Sequence, residues 1–399
     1  KKLLYKFNYL NKSIYSFHKY SFSDFIYRKN LKNSRKKNKT NFIDKKINYS
    51  NFENKVSLIV EHLLEQYIPT SLFKGLDLSI NRSKYIFPNS APENIITSSN
   101  ILKDEIFNIF ILRSLDCNSK YTILQHGGGY GFSKINDEEE YQLNTADNFL
   151  TWGWGYGIRN RNIKRNNANI IKKYGCIMYK KNFCKQLRVS NIRKGKSRKI
   201  FIALNEWEKV EFRLYSFPTS DGLLDKYINI TKLIKYLQKP CQHEIVLRGY
   251  LDGPFNLKMF IEKELKVVNY IDRTKSNLYQ NLIDDYYLFI TDSNSTAWLE
   301  SLSLNIPSIL LIGNEFKDIN ERVLPIFQSC IDNFLIFEKP KEASIWINDN
   351  FSNIDKWWFS NKTQNCRKKI LNFYFKENIG LEELLKNLSQ KSFTVNKII

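Results

Sequence analysis

The sequence predicts an α/β protein with two Rossmann-like lobes, each on a parallel sheet. Between residues 199 and 313, short apolar runs alternate with helix-length amphipathic segments, the pattern of a doubly wound parallel sheet. Upstream, "KYTILQHGGG" and "NFLTWGWGYG" are two more apolar runs that pass into glycine-rich loops. The 399 residues exceed one ordinary core, at roughly 100 to 200 residues per domain, so two lobes with a cleft between them are expected.

Residues 1–55 alternate aromatics with Lys and Asn without a sustained period, and read as a basic arm or an incomplete N-terminal region. A first residue of Lys rather than Met agrees with an incomplete N-terminus. The first helix is expected over 54–67, where Val56, Ile59, Val60, Leu63 and Leu64 share one face. His62 lies beside that stripe and receives no role. Residues 106–115, "IFNIFILRSL", fit a helix or a strand equally. Residues 56–160 form the N-terminal lobe and 161–198 a basic linker. A strand at 199–204 opens the C-terminal lobe, 199–335. Helices are expected at 223–239, 256–264 and from Ser295 to about Leu304, with strands at 243–250, 286–292 and 307–313. Residues 336–399 are read as a helical extension.

The net charge of +22 is unevenly spread. Residues 1–55 hold 15 Lys/Arg against 3 acids and residues 158–200 hold 15 against none, while 201–399 balance 25 against 25. The folded candidates are therefore near neutral. The basic stretches suit solvent or an anionic membrane surface better than nucleic acid, which is the disfavoured partner. No apolar run reaches the roughly 18 to 20 residues of a membrane-spanning helix, so the chain is expected to be soluble or peripheral. Six scattered cysteines without a Cys-x-x-Cys pair point to a reducing cytosol.

Four stretches can carry chemistry. In "YYLFITDSNSTAWLES", an apolar strand runs into Ser293, Asn294, Ser295 and Thr296 at a helix start, where hydroxyls and unpaired N–H groups suit a phosphate or diphosphate. Plain N-capping is the alternative. Glu300, one turn on, reaches a ribose or faces solvent. Arg248, just past another strand, has the planar fork that suits phosphate oxygens and neutralises a leaving phosphate without a metal. In "QHGGGYG", Gln125 and His126 end a strand, and Gly127, Gly128, Gly129 and Tyr130 form a loop that a ligand can approach closely. No phosphate-loop fingerprint is met there, so His126 is read as a base, since imidazole titrates near neutrality. The acidic run Asp137, Glu138, Glu139 and Glu140 offers a carboxylate to orient the imidazole or act as the base, with Glu140 the candidate, although such runs usually lie in solvent. Asp147, Trp152 and Trp154 suit a sugar or base platform, or ordinary packing. No His/Cys cluster has metal-ligand spacing, so metal-independent chemistry without a cofactor is expected.

Taken in order, "QHGGGYG", "EEEYQLNTADNFLTWGWG", "VLRGYLDG" and "TDSNSTAWLESLSLNIPSI" resemble a surface-carbohydrate transferase family, known chiefly by a locus tag, of bacterial polysaccharide and O-antigen (lipopolysaccharide) gene clusters. "TDSNST" with the following "ES" and "NIPSI" is more distantly similar to capsule polysaccharide transferases and CDP-glycerol glycerophosphotransferases, which are two-lobed GT-B enzymes. The resemblance spans roughly residues 90–335. It implies a GT-B-like fold, with an acceptor-side N-terminal lobe and a nucleotide-donor C-terminal lobe facing across a cleft. It also implies His126 as base, Arg248, Ser295 and Thr296 at the donor phosphate, and Glu300 as the acidic residue behind them. Asp252 and Gly253 carry over only loosely.

The expected function is glycosyltransferase-like: a sugar moves from a nucleotide-activated donor to a glycan or lipid-linked glycan acceptor in surface polysaccharide synthesis. The expected location is cytoplasmic, or peripheral at the inner face of the membrane. The alternatives are a polyol-phosphate transferase or nucleotide-sugar 2-epimerase on the same fold, and a non-enzymatic basic protein that binds nucleic acid or membrane.

Overall fold

A computed structural model describes residues 56, 58–60, 63, 75–88, 92–98, 104–134, 136–155, 170–176, 199–204, 220–238, 245–249, 263–265, 269–272 and 286–376. The arm at 1–55, most of the basic stretch 158–200, His243, Asp252, Gly253 and most of the helix expected at 256–264 lie outside the described residues. The chain divides into two compact units, residues 1–121 and 122–399.

The first unit contains α1 (Leu76–Ile86), β1 (Asn94–Thr97), α2 (Glu105–Leu115) and the start of β2 (Lys120–Leu124). The ambiguous run 106–115 is helix. Asp104 caps it, its carboxylate accepting from the Phe107 N–H at 3.0 Å, and Phe107 and Phe110 turn inward against Phe87. β1 meets β2 where the Lys120 N–H donates to the Glu93 carbonyl at 2.9 Å.

In the second unit, β2 continues beside β3 (Asn148–Thr151), and β3 beside β4 (Ile171–Lys173), all parallel. The helix α3 (Asp137–Thr145) carries the chain from β2 to β3. β4 falls within the basic stretch 161–198 and extends this sheet, a strand not anticipated there.

The second sheet has six parallel strands in the order β10-β9-β8-β5-β6-β7. They are β5 (Lys199–Ala203), β6 (Ile245–Gly249), β7 (Asn269–Asp272), β8 (Tyr286–Thr291), β9 (Ser308–Leu311) and β10 (Ile336–Phe337). Parallel sheets are covered on both faces, and β5 shows why its sequence is continuously apolar. Ile200, Ile202 and Leu204 enter one core, with α4 (Ser220–Tyr236) and α7 (Pro340–Asn350) against it, while Phe201 and Ala203 enter the other. With two Rossmann-like parallel sheets in one chain, the predicted class is met and the composition is GT-B-like.

The strand order positions the site. From β5 the chain adds β6 and β7 on one side, then returns to add β8, β9 and β10 on the other. The order reverses between β5 and β8, and in open α/β sheets ligands bind at the carboxyl ends of strands at such a reversal. α5 (Thr296–Ser303) starts there, directly after β8. The C-terminal helices α6 (Leu324–Ile331), α8 (Ile354–Trp358) and α9 (Asn361–Tyr374) follow in the predicted helical extension or just before it. Arg367 of α9 is buried and donates to the Leu302 carbonyl at the end of α5, at 2.8 Å. Among the described residues no helix is long and apolar enough to cross a membrane.

Candidate functional site

The loop after β2 is held by one buried amide. Gln125 Oε1 accepts from the Trp152 N–H and from Trp154 Nε1, both at 2.8 Å, while its Nε2 donates to the Gly127 carbonyl at 2.6 Å. The side chain thus ties the end of β2, the glycine turn and the Trp-Gly-Trp segment together. Trp152 and Trp154 are both buried, and Trp154 lies against Gly131, whose φ of +69° and absent Cβ leave room for the indole. The two rings therefore support the loop from inside. Of the two uses open to them from sequence, platform or packing, the burial of both rings matches packing. Asp147 is exposed at the amino end of β3, level with residue 121. That puts it about 16 Å along the strand from the level of His126, at roughly 3.3 Å per residue, and it does not join the loop.

His126 is embedded in a hydrogen-bonded group. Its Nδ1 lies 3.0 Å from the Tyr130 hydroxyl, and its Nε2 lies 3.1 Å from Glu138 Oε1, with the imidazole side chain 33% exposed. The buried Tyr130 hydroxyl is also 3.0 Å from Glu138 Oε1 and 3.1 Å from Gln142 Oε1. Burial, with Glu138 beside it, holds the Tyr130 phenol well above its ordinary pKa, so it stays protonated and serves as a donor. The carboxylate at the imidazole is Glu138, where the sequence pointed to Glu140. Asn136 caps α3 by accepting from the Glu139 N–H at 3.1 Å, so residues 137–140 form a first helical turn. Residues two apart on a helix point to different sides, which separates Glu140 from Glu138.

The acidic run is not simply solvated either. Glu139 is fully buried and accepts from the Gly131 N–H at 2.8 Å. Burial pushes its carboxyl up to about 8, partly offset by that hydrogen bond.

The glycine loop and the start of α5 meet, although 168 residues separate them. The Gly128 N–H donates to Thr296 Oγ1 at 3.0 Å. A Cβ on Gly128 would stand 2.6 Å from the Thr296 nitrogen and 2.7 Å from the Ser295 carbonyl carbon, so only glycine permits this approach. The sequence had assigned the histidine loop and the anion site to different lobes; the two are in direct contact. Gly127 and Gly129 lie alongside, each with ordinary room for a methyl group.

Residues 293–295 are short of side-chain partners. Ser295 is the N-cap of α5 but makes no side-chain cap bond. Ser293 Oγ and both amide atoms of Asn294 are buried without a hydrogen-bond partner. Unpaired buried polar atoms carry a desolvation cost of about 1 to 3 kcal/mol each, which a bound ligand offering donors and acceptors removes. Thr296 keeps its hydroxyl proton available while accepting from Gly128.

Arg248 is buried on β6. It is in register with Ala203 of β5, which in turn pairs with Thr291 of β8, so all three residues sit level at the carboxyl ends. Glu300, on the first turns of α5, is mostly buried. Its carboxyl is pushed up to about 7 by burial, against the lowering influence of Arg248 nearby. Below the loop, Lys226 of α4 pairs with Glu315 at 2.5 Å, both buried. Burial raises the Glu315 carboxyl, Lys226 lowers it, and Asp292 at the end of β8 raises it again, so Asp292 belongs to this charged floor. Glu138 and Asn294 were named from sequence only as members of their runs, and Lys226 and Glu315 were not singled out. An Asn N-cap before the acidic run was a usable signal for Glu138; Lys226 and Glu315 meet only through tertiary packing.

The arrangement is that of an α/β protein with a histidine loop placed on a helix start that carries unpartnered buried polar atoms. The chain belongs to the LIC12162 transferase family, whose pattern matches residues 3–388. No curated protein matches the chain in sequence. Among solved structures, the chain is similar to a glycosyltransferase from Rickettsia africae (12% identity, 90% of this chain and 88% of that one, TM-score 0.43). It is also similar to a variant of the wall teichoic acid polymerase TagF (12% identity, 77% and 82%, TM-score 0.41). A third is a UDP-GlcNAc 2-epimerase from Neisseria meningitidis bound to UDP-GlcNAc (13% identity, 85% and 90%, TM-score 0.39).

Proposed function

We propose that the chain is a glycosyltransferase-like transferase of GT-B type that moves a sugar from a nucleotide-activated donor to a surface polysaccharide precursor. The observation that carries this reading is the unpartnered polar set at Ser293 and Asn294, at the strand-order reversal and in contact with the histidine loop. A phosphate or diphosphate offers acceptors to the hydroxyls of Ser293, Ser295 and Thr296 and to the helix start. Arg248 neutralises the charge that develops on the departing nucleotide, so the step needs no metal or further cofactor. Glu300 sits one turn behind as the candidate ribose partner. On the acceptor side, His126 receives the hydroxyl proton at Nδ1, which the Tyr130 hydroxyl vacates by turning to Gln142 Oε1, and the Glu138 carboxylate at Nε2 stabilises the imidazolium that results. The acceptor is a glycan or a lipid-linked glycan, and the location is the cytoplasm or the inner face of a membrane.

The test is product analysis with a panel of nucleotide sugars and a lipid-linked glycan acceptor. Transfer is expected only when donor and acceptor are both present, with His126→Ala reducing turnover at least about a hundredfold. An epimerised nucleotide sugar formed from donor alone would refute the transfer reading. Phosphate retained in the glycan product would make the enzyme a polyol-phosphate or sugar-phosphate transferase.

A further inference from the structure

The described residues 56, 58–60 and 63 are helical, and they carry an apolar stripe turned to solvent. Val56, Ile59, Val60 and Leu63 are 42%, 60%, 46% and 45% exposed. Their spacing of three, four and seven residues puts them on one face. On a globular domain such a stripe ordinarily turns into the core; here it is left open. The residues directly before it, 1–55, carry 15 Lys/Arg against 3 acids. An outward apolar face and a strongly cationic segment are therefore contiguous in the chain.

This pairing selects among occupants. Nucleic acid would engage the charge and leave the apolar side chains in water. A second copy would cover the apolar side chains but bring a second +12 segment against the first. An anionic bilayer satisfies both, with side chains entering the boundary between headgroups and acyl chains while the cations meet the headgroups. We infer that the exposed apolar side chains of Val56, Ile59, Val60 and Leu63 are the element by which this chain docks on an anionic membrane surface, lying in the interface without crossing it. Docking gives a lipid-linked acceptor a surface on which to be met. It is read without donor or acceptor, so a failed transfer assay leaves it standing and a failed vesicle assay leaves the transferase reading standing.

The experiment is co-sedimentation of the full chain with vesicles of phosphatidylcholine, with and without phosphatidylglycerol. The wild type is expected to partition at least about tenfold better onto the anionic vesicles, and to be released by salt. Ile59→Glu with Leu63→Glu is expected to lower that partition at least about tenfold. Both side chains are exposed, so the thermal melt should not change; the milder Ile59→Ser with Leu63→Ser gives a partial loss. Phe359→Glu, at a side chain 52% exposed in the other unit, should bind as the wild type. Undiminished binding by the double Glu variant overturns the proposal, as does equal binding to neutral vesicles. So does a concentration-dependent dimer that the double variant abolishes while vesicle binding is absent.

Discussion

Replacing Gly128 by alanine tests the contact on which the site depends. Gly128 carries no positive φ, so the substitution introduces no backbone strain of the kind glycine relieves. Its effect is steric. The new methyl would lie 2.6 Å from the Thr296 nitrogen, 2.7 Å from the Ser295 carbonyl carbon and 2.9 Å from the Ser295 oxygen, all of them backbone. Ordinary contacts begin near 3.4 Å, so the loop and the start of α5 must separate by nearly an ångström, weakening the Gly128 to Thr296 hydrogen bond as they do. Overpacking of this kind costs about 1 to 3 kcal/mol. In a unit of this size that is a fall in Tm of roughly 2 to 12 °C, read by calorimetry or circular dichroism. Gly129→Ala is the control. Its methyl would find only the Asn294 carbonyl at 3.9 Å, and its Tm should be unchanged or up to about 4 °C above the wild type. Equal melting of the two variants would refute the close approach.

Other outcomes follow from the same geometry. Glu138→Gln should lower kcat about tenfold or more, and Glu140→Gln by less than about threefold, because only Glu138 stands at the imidazole; steady-state kinetics of both variants separates them. Glu139 has a folded-state pKa of about 8 against an ordinary 4.5, so the folded protein binds this proton more tightly than the unfolded chain. The stability this provides is complete below about pH 4.5 and is lost as pH rises through 8. Glu139→Gln should remove that loss, leaving the variant more stable than wild type at pH 9 by on the order of 5 kcal/mol relative to pH 4, in denaturant titrations at the two pH values. Trp154→Phe removes the indole N–H that reaches Gln125 and should cost about 1 to 3 kcal/mol in the same titrations, with the glycine loop loosened.

The local parts of this protein were legible and their meetings were not. The run 286–292 followed by a helix from Ser295 is realised as β8 and α5 almost residue for residue, because an apolar strand, a cluster of hydroxyl residues and an amphipathic start are all short-range signals. "YTIL" was equally clear as a buried strand. What sequence could not give was the seat of Gly128 on Thr296, a contact across 168 positions that depends on how loops pack. The tryptophans were open between platform and packing. The Gln125 amide decides for packing, and a glutamine's partners are not written in its neighbours. The acidic run was legible as a source of a carboxylate for His126 but not which one, because α3 turns Glu139 inward and Glu138, not Glu140, toward His126. The open choice at 106–115 was settled by the Asp104 cap and the three-phenylalanine cluster.

The central claim is that a nucleotide-activated donor sits at the start of α5 with Arg248 at its phosphates. The direct measurement is a thermal-shift titration of the wild type and Arg248→Ala with uridine, cytidine and guanosine mono- and diphosphates and their sugar conjugates. A ligand held at a hundred times its Kd stabilises the folded state by about 2.7 kcal/mol, a rise in Tm of roughly 5 to 10 °C. The account predicts that at least one nucleotide gives such a rise with the wild type, and that Arg248→Ala, measured against its own ligand-free melt, loses most of it. A panel that leaves the wild-type melt unmoved would contradict it, and so would an undiminished shift in Arg248→Ala.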